Sequence, residues 1–199
     1  MILLYAVAIG LVVGLVSGGR LANLANITVR FWPVALIGLL FQTLLFSSPL
    51  AAVVGQLGPS LYVLSTTIVL AALIFNLRQP GIALVILGAF LNFAVIVANG
   101  GQMPASPDAV AALIGAPVLP TSDFSNSVVA APGTPLWFLG DIFVLPRPIP
   151  FANVFSIGDV LIGIGGAIFI ARAMHRQPVG KVGPVPAAER GSIHVARNG

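Results

Sequence analysis

Two aspartates, two asparagines and one arginine are the residues of this 199-residue sequence whose types and setting could do chemistry together. Asp141 follows the aromatic run Leu136-Trp137-Phe138-Leu139 and precedes Pro146-Arg147-Pro148-Ile149-Pro150. A carboxylate in apolar surroundings needs a partner, and Arg147 is the basic residue of that stretch. Asp159 lies three residues after Ser156, the spacing of a capping box with Asp in the usual Glu position. There it would offset the dipole of a helix starting at Ile157. Asn92 falls inside an apolar run, where an amide must bond either a neighbouring helix or a ligand. Asn99-Gly100-Gly101 closes the same run. It reads as a turn, and also as a loop whose bare glycine amides can approach a ligand. If Asp141, Asp159 and Asn99 ring one cavity, they would bind a cation or an amine. Neighbouring carboxylates would also repel, raising one pKa and permitting proton transfer. The expected ligand-binding set is Asn92, Asn99, Gly100, Gly101, Asp141, Arg147 and Asp159, with no catalytic residue and no metal ligand assigned.

Other chemistries are excluded or unsupported. There is no cysteine, which removes thiolate catalysis, disulfides and cysteine metal sites. His175 and His194 lie near the C-terminus and have no companion ligands. The sequence has no HExxH, no GxSxG, no phosphate-binding glycine loop and no dinucleotide fingerprint, so no cofactor is expected. A basic patch interleaved with aromatics is also missing, which argues against nucleic acid. The balance favours a binding protein over an enzyme.

The elements that position these residues are read from hydropathy. The sequence is 58% apolar and 7% charged, where a soluble domain carries roughly 25% charged residues. That composition points to an all-α integral membrane protein of the cytoplasmic membrane, in contact with the lipid bilayer. Five stretches, at about 2–17, 31–47, 61–77, 81–98 and 157–175, approach the roughly 20 apolar residues of a transmembrane helix. Arg20, Arg30, Arg78, Arg172, Arg176, Lys181, Arg190 and Arg197 then fall on one side. The positive-inside rule makes that side cytoplasmic and places the N-terminus outside. Residues 1–175 would form the transmembrane domain, and 176–199 a disordered basic cytoplasmic tail. Residues 99–153 form a long extracytoplasmic loop with nine of the sixteen prolines. Within it Ser106-Pro107-Asp108 marks a helix start and Gly115 its stop, while residues 146–150 read as extended polyproline. Gly10, Gly14 and Gly18, and likewise Gly163, Ala167 and Ala171, repeat small residues every fourth position. Gly10, Gly14, Gly163 and Ala167 are therefore a surface on which a partner membrane helix could pack.

The series Asn99-Gly100-Gly101-Gln102-Met103-Pro104-Ala105-Ser106, Leu136-Trp137-Phe138-Leu139-Gly140-Asp141, Pro146-Arg147-Pro148 and Phe155-Ser156-Ile157-Gly158-Asp159 resembles a bacterial multi-pass membrane family, the domain of unknown function 5317. Gly18-Gly19-Arg20-Leu21 and Asn23-Leu24 fit the same pattern. The resemblance covers about residues 1–172. It implies five spans with an outer loop and brings no activity with it, but it directs attention to the outer-face series.

Three functions are compatible with these residues. One is binding or transport of a small polar or cationic ligand at the outer face. Another is an accessory or assembly subunit docking a partner through the small-residue stripes. The third is a lipid-modifying membrane enzyme using Asp141 and Asp159 as acid and base.

Overall fold

The computed structural model describes residues 2–47, 57–116 and 127–176. Along the chain these form α1 (Ile2–Val16), α2 (Trp32–Ser47), α3 (Gly58–Ile74), α4 (Ile82–Ala98), β1 (Met103–Ala105), α5 (Pro107–Ile114), β2 (Ser127–Val129), β3 (Phe143–Leu145), β4 (Asn153–Phe155) and α6 (Ile157–Ala173). Short 3-10 turns cover Leu21–Asn26 and Trp137–Leu139.

The five-span, all-α membrane class is corrected by this architecture. The five apolar runs do form helices, but they are 15, 16, 17, 17 and 17 residues long. At about 1.5 Å per residue the longest covers roughly 26 Å, against a hydrocarbon core of roughly 30 Å. Among the described residues no helix is long and apolar enough to cross a membrane. The runs at 2–17, 31–47, 81–98 and 157–175 exceed their helices by one or two residues that belong to caps and turns, and the run at 61–77 is displaced from Gly58–Ile74. Gly18, with φ 89°, lies beyond the end of α1. The α3 helix ends at Ile74, and the Asn76 side chain donates to the Ala72 carbonyl behind it (2.9 Å). The orientation assigned to the five spans falls with them. Of the tail, only Arg176 lies within the described residues.

The α6 helix is the hub of the bundle. Both α1 and α4 pack along it, α3 packs on α4, and α2 packs on α3. Small residues permit this closeness. A Cβ added at Gly10 would lie 2.9 Å from the Ala167 Cα, and one at Gly165 would meet the Gly81 carbonyl at 2.5 Å. The small-residue stripes therefore meet each other within the chain. Gly14 faces Ala171 and Met174, and Gly163 faces Ala6. Outward-facing side chains of the helices stay apolar and exposed, including Ile37 at 65% and Val16 at 84%.

The described residues of the 99–153 segment form a cap of short strands and one helix rather than a loop. Strands β1 and β2 pair in parallel, Met103 with Ser127 through Ala105 with Val129. Strands β3 and β4 pair antiparallel, Phe143 with Phe155 through Leu145 with Asn153. The proline-rich run expected as polyproline is the turn of this hairpin, closed by the Ile149 N–H on the Pro146 carbonyl (3.1 Å). The short helix expected after Ser106 is α5, capped by Ser106 and stopped by Gly115 at φ 72°. The cap sits on a core of Val95, Ile96 and Met103, joined by Tyr62, Val63 and Leu139.

Candidate functional site

Ser156 is the residue around which the site is built. Strand β4 delivers it, extended, to the start of α6. There its hydroxyl accepts from the Asp159 N–H (3.0 Å), and its own N–H donates to Asp159 Oδ2 (3.0 Å). This is the capping box anticipated from the spacing, with α6 starting at Ile157. The box satisfies two amides that a helix start otherwise leaves open.

Asn92 closes the box into a ring. The Ser156 hydroxyl donates to Asn92 Oδ1 (2.9 Å), and Asn92 Nδ2 donates to Asp159 Oδ1 (3.0 Å). Both oxygens of Asp159 are thereby engaged. The reach depends on glycine: a Cβ at Gly158 would collide with the Asn92 amide, and one at Gly88 would lie 2.9 Å from the Ile162 side chain. Ser156 is fully buried, and the ring around it is partly screened from water.

Asp141 arrives from the cap. Its N–H donates to the Pro104 carbonyl, and its own carbonyl accepts from the Ser106 N–H, each at 2.9 Å. These two bonds flank Ala105, to which Asp141 is bridged in parallel. Gly140 precedes it against the Pro104 carbonyl, where a Cβ would have no room. Burial, reinforced by the negative charge of Asp159, pushes the Asp141 carboxyl up to about 7. The Tyr62 phenol of α3 completes the group. Burial and the charges of Asp159 and Asp141 push it up to about 12, so it stays protonated.

The structure thus brings together Asn92, Asp141 and Asp159 from the expected set. It places the other members elsewhere. Asn99 Nδ2 donates to the Val95 (2.8 Å) and Pro135 (3.0 Å) carbonyls and ties the cap to the end of α4. Gly100 and Gly101, at φ 64° and 92°, form the turn behind it, with Gly101 against Pro59. Arg147 is exposed in the β3–β4 turn, and among the described residues it makes no ion pair with Asp141. Sequence reasoning missed two participants. In the sequence Ser156 reads as a cap alone, and Tyr62 gives no local signal because an aromatic on an apolar helix is ordinary core.

Chemically, the arrangement sets a carboxyl whose value is raised to about 7 near a second carboxylate that accepts two hydrogen bonds, one from Asn92 and one from Ser156. Such a pair can take up a proton or a cation. Among the described residues no cluster of three or more His, Asp or Glu is present to hold a metal ion. Two carboxylates suit a singly charged or organic cation better than a divalent one, which prefers more oxygen ligands.

The chain belongs to the family of unknown function DUF5317, whose model matches residues 26–171. That match takes in Asn92, Asp141, Ser156 and Asp159, the whole of α4 and all but the last two residues of α6. No curated protein and no solved structure matches the chain.

Proposed function

We propose that this member of the family binds a small cationic or polar ligand at the Asp141–Asp159 pair, with Asn92 and Ser156 as the frame and Tyr62 as a hydroxyl at its edge. One observation carries the reading. Asp159 is pinned by Asn92 and Ser156, whereas the half-buried carboxyl of Asp141 has no hydrogen-bonded side chain among the described residues and is raised to about 7. A fold that holds one carboxylate fixed and leaves a second poised beside it is suited to exchanging a proton for a cation. The apolar exterior supports a place in contact with lipid at the cytoplasmic membrane, since patches of this extent are seldom left in water.

The test is calorimetric titration of the full chain with methylammonium between pH 6 and pH 8. Affinity should rise with pH as Asp141 loses its proton, and Asp141→Asn should abolish both the binding and its pH dependence. Equal binding by wild type and Asp141→Asn would sink the proposal. A second reading, acid–base catalysis on a lipid by Asp141 and Asp159, is favoured by the same near-neutral carboxyl. It predicts turnover of an added lipid that Asp141→Asn eliminates.

A further inference from the structure

At the other end of α4 from Asn99, a cleft of about 370 Å³ opens between Thr28–Arg30 and the connection from α3 to α4, lined by Phe75, Asn76, Arg78 and Gln79. We infer that this cleft is a binding site for a phosphate-bearing anion, either a free phosphoester or the head group of an anionic lipid.

The floor of the cleft is built. Asn76, 5% exposed, accepts from the Arg30 N–H (2.7 Å) and donates to the Arg30 (2.8 Å) and Ala72 (2.9 Å) carbonyls. Gln79 donates to the Thr28 carbonyl (3.2 Å) and accepts from the Arg176 guanidinium. Both amides are consumed in holding residues 28–30 against the ends of α3 and α4. What they leave for a ligand is cationic. The Arg30 guanidinium carbon lies 5.3 Å from the centre of the Phe31 ring and 5.8 Å from that of Phe75, and these two rings meet edge to face at 5.0 Å. Arg78 lines the same cleft, and Arg176 reaches its edge through Gln79.

Arg30 and Arg78 thus line one concavity, with Arg176 held beside it through Gln79, and among the described residues no carboxylate is paired with any of the three. Solvated surface arginines would need neither a ring stack nor a fixed floor. Stacking on Phe31 and Phe75 desolvates one face of Arg30 and leaves its N–H edge to donate. A concave site with the Phe75 ring in its wall also focuses positive potential. The ligand class follows from the donors. Two Arg forks on one cleft match the multiple oxygens and near-double charge of a phosphate, whereas a single carboxylate would satisfy one fork. The volume lies in the range of small-molecule sites, roughly 300–1,000 Å³. This inference is independent of the carboxylate site, with which it shares no residue.

The experiment uses the full chain and two probes. Pyrophosphate is titrated calorimetrically, and phosphatidylcholine vesicles with or without phosphatidic acid are tested by flotation. Binding of pyrophosphate identifies a free phosphoester site, and binding confined to the phosphatidic acid vesicles identifies a head-group site. In either case Arg30→Gln with Arg78→Gln should weaken the affinity at least tenfold. Arg20→Gln with Arg172→Gln removes the same charge outside the cleft and should change affinity less than twofold. Arg30→Lys keeps the charge and loses the fork. It should fall between wild type and the double variant, and it provides a second reading should the glutamine pair fail to fold. Failure of the wild type to bind either probe, or equal weakening by the two double variants, would overturn the inference.

Discussion

Replacing Asp141 by asparagine removes a carboxyl whose ionisation the fold opposes, and the size of that opposition can be worked out. Its ordinary value is 3.8 and burial beside Asp159 pushes it to about 7. A raised acid holds its proton more tightly in the folded chain than in the unfolded one. Its contribution is therefore fully present below about pH 4 and is lost as pH rises to about 7. At about 1.4 kcal/mol per pH unit between the two values, the whole loss is about 4 kcal/mol. Roughly 2.5 kcal/mol of it falls between pH 5 and pH 8. Asparagine cannot ionise, so the Asp141→Asn variant should keep its stability over that interval while the wild type loses it. The assay is urea unfolding followed by the fluorescence of Trp32 and Trp137 at several pH values. Groups that titrate alike in both proteins cancel in the difference, and the variant should gain on the wild type by roughly 2.5 kcal/mol on going from pH 5 to pH 8. Parallel stability curves would refute the reasoning, because Asp141 would then be no harder to ionise in the folded chain than in the unfolded one.

Asn92→Leu should cost about 2–4 kcal/mol in the same assay, since it strands the buried Ser156 hydroxyl and removes a donor from Asp159. Ser156→Ala removes the helix cap and should cost about 0.5–2 kcal/mol, with a matching fall in unfolding midpoint. Gly158→Ala drives a methyl into the Asn92 amide and should lower stability by about 1–3 kcal/mol, whereas Gly166→Ala, with open space beside it, should change stability little. His175 bonds the Ala171 (2.9 Å) and Ser17 (3.0 Å) carbonyls with its two ring nitrogens, and these bonds raise its pKa above 6.5. Its contribution should be present at acid pH and lost as pH rises past that raised value, and NMR titration of its ring should show a value displaced upward from 6.5.

Local signals were legible where one segment carries the whole motif. Ser156 and Asp159 announce a capping box three residues apart, and Ser106-Pro107 with Gly115 brackets α5, because caps are decided by nearest neighbours. Helix length was not legible. The apolar runs continue past Val16 and Ile74 into turns, and hydropathy does not register where backbone bonding ends. Polyproline at residues 146–150 was a composition argument, and the pairing of Phe143 with Phe155 overrode it, since a hairpin needs its two ends together. The site was legible by residue type at Asn92, Asp141 and Asp159 and illegible in its closure. Ser156 meets Asn92 across 64 positions, and Asp141 is placed by backbone bonds to residues 104 and 106. The basic cleft is not legible in the sequence, because hydropathy assigns its arginines to membrane orientation, where each one counts separately.

The ring of Asn92, Ser156 and Asp159 has a direction. Each group gives its proton one way round: hydroxyl to amide oxygen, amide nitrogen to carboxylate, backbone nitrogen to hydroxyl. Reversing the Asn92 amide would set nitrogen against a hydroxyl proton and oxygen against a carboxylate, breaking two bonds at once. No member can therefore change alone without leaving its neighbours mismatched. In heredity the three positions amount to a single character, and members of the family should keep the trio whole or exchange it in concert, as paired letters do in a stem of nucleic acid.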